Sequence, residues 1–332
     1  MMNKNKLDDS QLISQKSIDH FIDKHQLPED FETLIFKYYI PLISWVNQRV
    51  NTYSPYIFGI NGPIGSGKST LADFIKSSMH SYLNGEVVVL SLDDFYLTID
   101  ESQSTVILGP NGSGKTTLLK LLNRELYIVE SEGSSIKIFD KERWNVQELR
   151  SNLGVVSPHL QNNYSDSAVG FHVALSGFYS SDGIWRHQKF DTEKLERANE
   201  VMELLSISGL KDREYSSMST GEQRKFLLAR SLVNDPAVLV FDEPTSGLDI
   251  SACFQYLEIM RELMSMGKKV ILVTHHVHEI PPEISRVILL KGGRVVMDGN
   301  KDEILTNANL TNLFDWPIKV IKENGYYQAM PG

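Results

Sequence analysis

The chain has 332 residues, of which 41% are hydrophobic and 23% are charged, as is ordinary for one or two globular domains. Its formal net charge of −9 argues against a nucleic-acid-binding surface, because such a surface needs a basic stripe. The single cysteine, Cys253, excludes an internal disulfide bond and favours a reducing, cytoplasmic setting.

The apolar segments are too short to suggest a membrane span. The most apolar stretch, residues 35–46, is interrupted by Lys37 and Pro41 and is shorter than the ~20 residues that a spanning helix needs. Residues 1–10 are polar, so we expect no signal peptide. We therefore expect a soluble protein that does not insert into a membrane and meets one only through a partner.

The N-terminal part predicts helices followed by a strand, a loop and a helix. Apolar residues recur at helical spacing over residues 17–50, with Pro28 and Pro41 as expected helix boundaries. Residues 56–60 predict a buried strand, and residues 69–80 predict a helix. Between them the sequence fits the phosphate-binding pattern G-x-x-x-x-G-K-[ST], with the candidate residues Gly62, Gly65, Ser66, Gly67, Lys68 and Ser69.

A second phosphate-binding loop follows soon after the first. Residues 87–91 predict another strand, which ends at Asp93 and Asp94, and residues 105–108 predict the strand before the second loop. That loop consists of Gly109, Pro110, Asn111, Gly112, Ser113, Gly114, Lys115 and Thr116, followed by Thr117 in a helix predicted over residues 116–123. The two loops lie too close together for each to head a complete nucleotide-binding domain.

From residue 105 onward, strands alternate with helices. Short strands are predicted at 136–139 and 153–156, and residues 166–215 are mainly helical. Continuous β-branched runs at 237–241 and 269–273 are typical of parallel strands buried on both faces. Residues 287–297 predict a closing hairpin through Gly292 and Gly293. This alternation predicts a doubly wound α/β fold with a mostly parallel sheet.

The second loop is followed by an ordered set of polar residues. In chain order these are Gln161, the segment Ser219 to Gln223 with Gly221 inside it, Asp242 and Glu243 after a strand, the segment Ser246 to Asp249, and His275. Each is a weak signal alone, but their order and spacing together are highly specific.

These motifs resemble the nucleotide-binding domain of ATP-binding cassette (ABC) ATPases over residues 95–314. The loop 109–116 matches Walker A, Asp242 and Glu243 end Walker B, and 246–249 match the D-loop. Residues 219–223 match the signature motif as a variant, Gln161 stands where the Q-loop glutamine is expected, and His275 matches the switch histidine. Residues 274–280 and an aromatic turn near Gly177 are most similar to cassettes of the molybdate/iron-uptake type.

The resemblance implies a P-loop ATPase with ATP and Mg²⁺ as cofactors. Lys115 would bind the β- and γ-phosphates, while Thr116, Asp242 and Gln161 would serve the metal ion. Glu243 would orient or deprotonate the attacking water, and His275 would contact the γ-phosphate.

His276 and His278 lie beside the switch histidine. Together with His275 they have a spacing that could suit a metal ion, but we expect the three side chains to diverge where the strand exits. We therefore expect no zinc site.

The same resemblance implies partners. Ser219, Gly221, Gln223 and Asp249 would bind nucleotide across an interface, giving a head-to-tail homodimer with two sandwiched ATP molecules. Such cassettes energise either transport through a membrane permease subunit or a related mechanical step in a soluble machine. The chain would lie in the cytoplasm, and a permease partner would place it at the inner face of the membrane.

Residues 26–98 resemble the start of a P-loop small-molecule kinase of the D-glycerate 3-kinase/uridine kinase group. In that family Lys68 would hold ATP and Ser69 the metal, and Asp93 or Asp94 would accept the substrate hydroxyl proton or help to bind Mg²⁺. Such kinases need further strands and a lid, but here the sequence turns into a cassette, so the first loop is expected to be non-catalytic.

The sequence therefore predicts a frayed N-terminus (1–16), a truncated kinase-like segment (17–98), an ABC ATPase domain (99–315) with a helical subdomain at 162–225, and a C-terminal tail (316–332). Two alternatives stay open. One is a kinase acting on a D-glycerate-like acceptor, and the other is a non-catalytic chimera that only binds nucleotide.

Overall fold

The computed structural model describes residues 13–28, 30–47, 60, 68–80, 103–126, 138–139, 141, 144–161 and 163–332. The chain divides into two compact units, residues 1–93 with 128–134, and residues 94–127 with 135–332. The strands predicted at 56–60, 87–91 and 136–139 fall largely outside the described residues.

The described part of the first unit is helical. Its helices are α1 (Gln15–Lys24), α2 (Phe31–Leu34), α3 (Ile40–Asn47) and α4 (Lys68–His80). Ser14 caps α1, and the predicted helix after the first loop is confirmed as α4. Ile18, Phe21, Ile35 and Phe74 are buried together, so these helices share an apolar core.

Pro41 does not mark a helix boundary, and this prediction was wrong. A π-helical turn, Ile35–Tyr39, joins α2 to α3, and Pro41 is the second residue of α3. The Ile40 N–H bonds to the Ile35 carbonyl, five residues back. Proline has no N–H to donate and therefore usually interrupts a helix. The wider π turn has already shifted the hydrogen bonding before Pro41, so the helix continues through it.

The second unit contains a six-stranded sheet. Its strands are β1 (Thr105–Leu108), β2 (Leu153–Val156), β3 (Val238–Asp242), β4 (Lys269–Thr274), β5 (Arg286–Lys291) and β6 (Arg294–Asn300). The spatial order is β2-β3-β4-β1-β5-β6, with all neighbours parallel except the β5–β6 hairpin. The predicted parallel sheet and closing hairpin are confirmed.

Strands β3 and β4 are buried on both faces, as their continuous apolar runs predict. In β3, Leu239 and Phe241 pack on one face, whereas Val238 and Val240 pack on the other. One face is covered by α5 (Lys115–Leu122) and α6 (Val146–Asn152). Helices packed on the opposite side are α8 (Gly170–Ser176), α9 (Thr192–Leu204), α10 (Thr220–Leu232) and α11 (Ile250–Ser265), after the short α7 (Pro158–Gln161).

The C-terminal residues form a folded hairpin where the sequence predicted only a tail. After α12 (Lys301–Ile304) and α13 (Asn307–Phe314), strands β7 (Ile318–Glu323) and β8 (Tyr326–Pro331) pair antiparallel. Tyr327 is buried and its hydroxyl donates to Asp302. These contacts are long-range, so local sequence patterns do not announce them. No helix in the described residues is both long and apolar enough to cross a membrane.

Candidate functional site

The second phosphate-binding loop leaves β1 and turns into α5. Gly112 and Gly114 have φ angles of 75° and 101°, in the left-handed region that favours glycine. A Cβ atom at Gly109 would lie 2.2 Å from the Leu290 carbonyl oxygen, so only glycine fits there. The Gly293 N–H donates to the Ser113 carbonyl at 2.9 Å, which ties the loop to the β5–β6 turn.

Lys115 is held inside this loop. Its side chain is 6% exposed, and Nζ donates to the carbonyl oxygens of Gly109 at 2.9 Å and Pro110 at 3.0 Å. Nζ also lies 3.7 Å from Glu243 Oε1. Thr116, next in the chain, is exposed, whereas the Ser113 hydroxyl is buried without a partner in the described part of the chain. The loop thus presents a cation and hydroxyl groups at the N-terminus of α5, which suits a phosphate group.

Two carboxylates lie where β3 ends. Glu243 has a φ angle of 45°, and its N–H donates to the Val273 carbonyl at 2.8 Å. Its Oε1 lies 3.0 Å from His275 Nδ1, at the end of the neighbouring β4. Lys115, Glu243 and His275 are therefore brought together at one edge of the sheet by adjacent strands.

Asp242 lies beside this group and is partly buried. Burial, and secondarily the charge of Glu243, raise the pKa of the Asp242 carboxyl to about 6. The Ser157 hydroxyl donates to Asp242 Oδ2 at 3.3 Å. The partly buried Asp242 carboxylate lies next to that of Glu243, and Thr116 is exposed after Lys115 in the loop. These groups offer the oxygen ligands that Mg²⁺ prefers.

We expect the raised pKa of Asp242 to make stability depend on pH when nucleotide and Mg²⁺ are withheld. The group holds its proton up to about pH 6 when folded but loses it near its ordinary value of 3.8 when unfolded. Its contribution is therefore fully present below the unfolded pKa and is lost as pH rises through the folded pKa. Asp242→Asn cannot ionise, so its stability relative to the unchanged protein should rise by about 1–3 kcal/mol between about pH 4 and about pH 7.

Urea unfolding of both proteins across this pH range measures the difference. Asp235→Asn is the matched control, because a hydrogen bond from Lys268 lowers the pKa of Asp235. This control should show no such gain. A stability difference for Asp242→Asn that does not change with pH would contradict the prediction.

The three histidines after β4 do not diverge, and this expectation was wrong. The rings of His275 and His276 have centroids 3.8 Å apart, and those of His276 and His278 are 5.1 Å apart. The short 3-10 turn Val277–Glu279 brings them together. Burial, followed by the charge of His275, lowers the pKa of His276. Within the described residues, no three His, Cys, Asp or Glu side chains are arranged to hold a metal ion.

The signature residues lie at the start of α10. Ser219 caps this helix: its hydroxyl accepts from the Glu222 N–H at 3.3 Å, and the Glu222 carboxylate accepts from the Ser219 N–H at 2.8 Å. Asp249 caps α11 in the same manner, accepting from the Ala252 N–H at 2.8 Å. A Cβ atom at Gly221 would come 3.6 Å from that of Ala252.

Gln161 contacts the signature segment. Its Nε2 donates to Gln223 Oε1 at 2.5 Å, and Gln223 Nε2 donates to the Tyr215 carbonyl at 2.8 Å. It is Ser157, four residues earlier, that reaches Asp242. The sequence analysis missed Ser157, since a serine at a strand end carries no distinctive signal.

Arg224 is a second residue that the sequence analysis missed. It is 4% exposed and donates to the carbonyl oxygens of Glu243, Pro244 and Ser246. Arg224 stands between Gln223 and Lys225 in the polar first turns of α10, so its local sequence gives no sign that it is buried.

Gly62, Gly65, Ser66, Gly67, Asp93 and Asp94 lie outside the described residues, as do the side chains of Lys68 and Ser69. Their predicted positions and roles stay predictions.

The fold and this site define the class of protein. A phosphate-binding loop after the central strand β1, two carboxylates after β3 and a histidine after β4, on a mostly parallel sheet, make a P-loop ATPase of the cassette type. Residues 92–246 match the family model described as ABC transporter.

Relatives and solved structures agree with this class. The chain is 31% identical over 234 residues to an ABC transporter ATP-binding protein of Streptococcus mutans, covering 69% of this chain and 88% of the relative. It is 32% identical over 252 residues to a hemin import ATP-binding protein of Photobacterium damsela subsp. piscicida, covering 74% and 90%. A dimeric ATP-binding cassette bound to ADP and Pi is 25% identical, with a TM-score of 0.51, over 61% of this chain and 88% of that one.

The chain belongs to the ABC transporter family and is an ATP-binding, ATP-hydrolysing subunit of that family. The comparisons do not support the molybdate/iron-uptake subtype or the kinase resemblance of residues 26–98.

Proposed function

We propose that this subunit hydrolyses ATP to ADP and phosphate at the site headed by Lys115 and drives a membrane permease. The observation that carries this proposal is the convergence of Lys115 Nζ and His275 Nδ1 on Glu243 Oε1, at 3.7 Å and 3.0 Å. A cation, a carboxylate and an imidazole at one strand edge can hold a phosphate group and a nucleophilic water together.

Each residue of the site has a role in this proposal. Lys115 and the backbone N–H groups of its loop bind the phosphates, while Glu243 accepts a proton from the attacking water. His275 orients Glu243 and contacts the γ-phosphate. Gln161, at the join to the helical subdomain, links the site to the signature segment through Gln223.

Mg²⁺ fits the oxygen ligands of this site. The Asp242 carboxylate and the Thr116 hydroxyl would hold it, and its proximity would lower the raised pKa of Asp242. When bound, the metal neutralises negative charge on the phosphates. Ser157 positions Asp242 through its hydroxyl.

A second copy completes the site in this proposal. Ser219 and Gly221 lie at the N-terminus of the 13-residue helix α10, whose dipole favours a phosphate group. Dimeric cassettes among the solved structures support a dimer, which in this proposal is a head-to-tail homodimer with ATP between the copies. The names of the relatives support a permease partner and hence a cytoplasmic location at the membrane.

We further propose that residues 99–315 form the ATPase domain, with a helical subdomain near 162–225. Residues 17–98 then form a separate kinase-like segment without kinase activity. The division of the chain near residue 93 supports this boundary.

Measuring phosphate release from ATP, with and without a hydroxyl acceptor such as D-glycerate, tests the proposal. We expect turnover without any acceptor and no acceptor phosphate ester in the products. Turnover that required the acceptor and was lost in Lys68→Ala would favour the kinase. No turnover under either condition would favour a chimera that only binds nucleotide.

A further inference from the structure

Glu279 is a fully buried carboxylate that the roles above do not use. It ends the 3-10 turn Val277–Glu279, four residues after His275, and its exposed fraction is 0%. A buried carboxylate destabilises a fold unless its oxygens accept hydrogen bonds. Here Oε1 accepts from the Thr245 hydroxyl and Oε2 from the Thr274 hydroxyl, and both threonines are buried as well.

These two threonines belong to the segments that carry the reactive groups. Thr245 lies two residues after Glu243, whereas Thr274 directly precedes His275. The Thr274 hydroxyl also accepts from the His276 N–H at 2.9 Å, which fixes the turn after β4. One buried side chain therefore connects the loop after β3 with the loop after β4.

Arg224 holds the loop after β3 from another side. Its guanidinium donates to the carbonyl oxygens of Glu243 and Pro244, before Thr245, and of Ser246 after it. The loop is thus held between the buried Arg224 guanidinium from α10 and the buried Glu279 side chain from the turn after β4.

The geometry of Glu243 depends on this support. Its backbone is in the left-handed region, which non-glycine residues rarely adopt unless the surrounding structure imposes it. Its carboxylate must also stay within hydrogen-bonding distance of His275, 3.0 Å away on a different loop. A shift of about 1 Å between two such groups can lower a reaction rate by about a hundredfold.

We propose that Glu279 is a positioning residue for ATP hydrolysis, holding Glu243 and His275 in register through Thr245 and Thr274. The role rests on the proposed function, in which Glu243 and His275 act on the attacking water. Glu279 itself does not touch the substrate.

The test is steady-state ATP hydrolysis by the full chain carrying Glu279→Gln. We expect kcat to fall about ten- to hundredfold while KM for ATP changes less than about threefold, because the phosphate loop is untouched. Glu283→Gln is the matched control. Glu283 also lies after β4, but it is a surface carboxylate paired with Arg261 at 2.8 Å, so its kcat should not change.

Substitutions at Thr245 give a second test that leaves the Glu279 side chain unchanged. They test the positioning role even if Glu279→Gln does not fold. Thr245→Val removes one donor and should lower kcat about tenfold, whereas Thr245→Ser keeps the hydroxyl and should restore most of it. The double variant with Thr245→Val and Glu279→Gln should have a kcat only slightly below that of the more impaired single variant. The reason is that both substitutions disrupt the same contact, the one between Thr245 and Glu279.

Full activity of Glu279→Gln or Thr245→Val, or losses that multiply in the double variant, would overturn this role alone. If the unchanged chain hydrolysed no ATP, the proposed function would fail first, and the positioning role would fail with it. The two failures are therefore distinguishable.

Discussion

Replacing Lys115 with alanine should lower ATP hydrolysis by at least about a hundredfold. The variant loses the buried Lys115 ammonium group, which lies 3.7 Å from Glu243. This cation is the group best placed to neutralise the charge that develops on the phosphates. The variant also loses the hydrogen bonds to the Gly109 and Pro110 carbonyls that hold the loop closed. We expect weaker ATP binding as well, measured by titration with a fluorescent ATP analogue.

Two lysine controls make this result specific to the second loop. Lys120→Ala removes a charge from the same helix, α5, away from the loop, and should leave activity near its original value. Lys68→Ala removes the corresponding lysine of the first loop and should also have little effect. If Lys68→Ala were the damaging change and Lys115→Ala were not, the assignment of the ATPase to the second loop would be wrong.

Glu243→Gln should also greatly reduce ATP hydrolysis, but for a different reason from Lys115→Ala. The amide keeps the shape of the side chain but cannot accept a proton from water, so kcat should fall about a hundredfold or more. Phosphate binding should survive, since Lys115 and its loop are intact. The proposed homodimer would then accumulate with ATP trapped in it, because the step that discharges the nucleotide is blocked.

Gel filtration with ATP measures this dimer. Glu243→Gln should elute as a dimer with ATP and as a monomer with ADP. Adding Lys115→Ala to the same chain should remove the dimer, because nucleotide binding is then weakened. A Glu243→Gln protein that stays monomeric with saturating ATP would count against the sandwich dimer and favour a chimera that only binds nucleotide.

The order of motifs predicted most of the ATPase fold. Three features depend only on neighbours within a few residues, so the local sequence predicts them. They are the glycines of the second loop, the apolar runs that form β3 and β4, and the Gly292–Gly293 turn. Glu243 and His275 were chosen from their motifs, and the sheet explains why their side chains meet. The carboxyl ends of adjacent parallel strands lie at one edge of a sheet, and β3 pairs with β4.

Pairing over long distances along the chain escaped the sequence analysis. Gln161 was chosen by its spacing from the loop, yet it bonds to Gln223, while Ser157 reaches Asp242. The last residues were expected to be a tail, but they form a hairpin whose Tyr327 packs against the fold. Pro41 suggested a helix boundary. The π turn before it, which lets the helix continue, has no sequence pattern of its own and was not foreseen.

The sequence by itself determined that this chain is a cassette ATPase, and it predicted a site headed by Lys115 and completed by Glu243 and His275. Only the tertiary structure revealed what holds that site. Arg224 and Glu279 are charged residues that a local pattern would place at the surface, but both are buried. Burial is tolerable because backbone carbonyls and threonine hydroxyls from other segments surround them, and those partners become neighbours only once the sheet and α10 have packed.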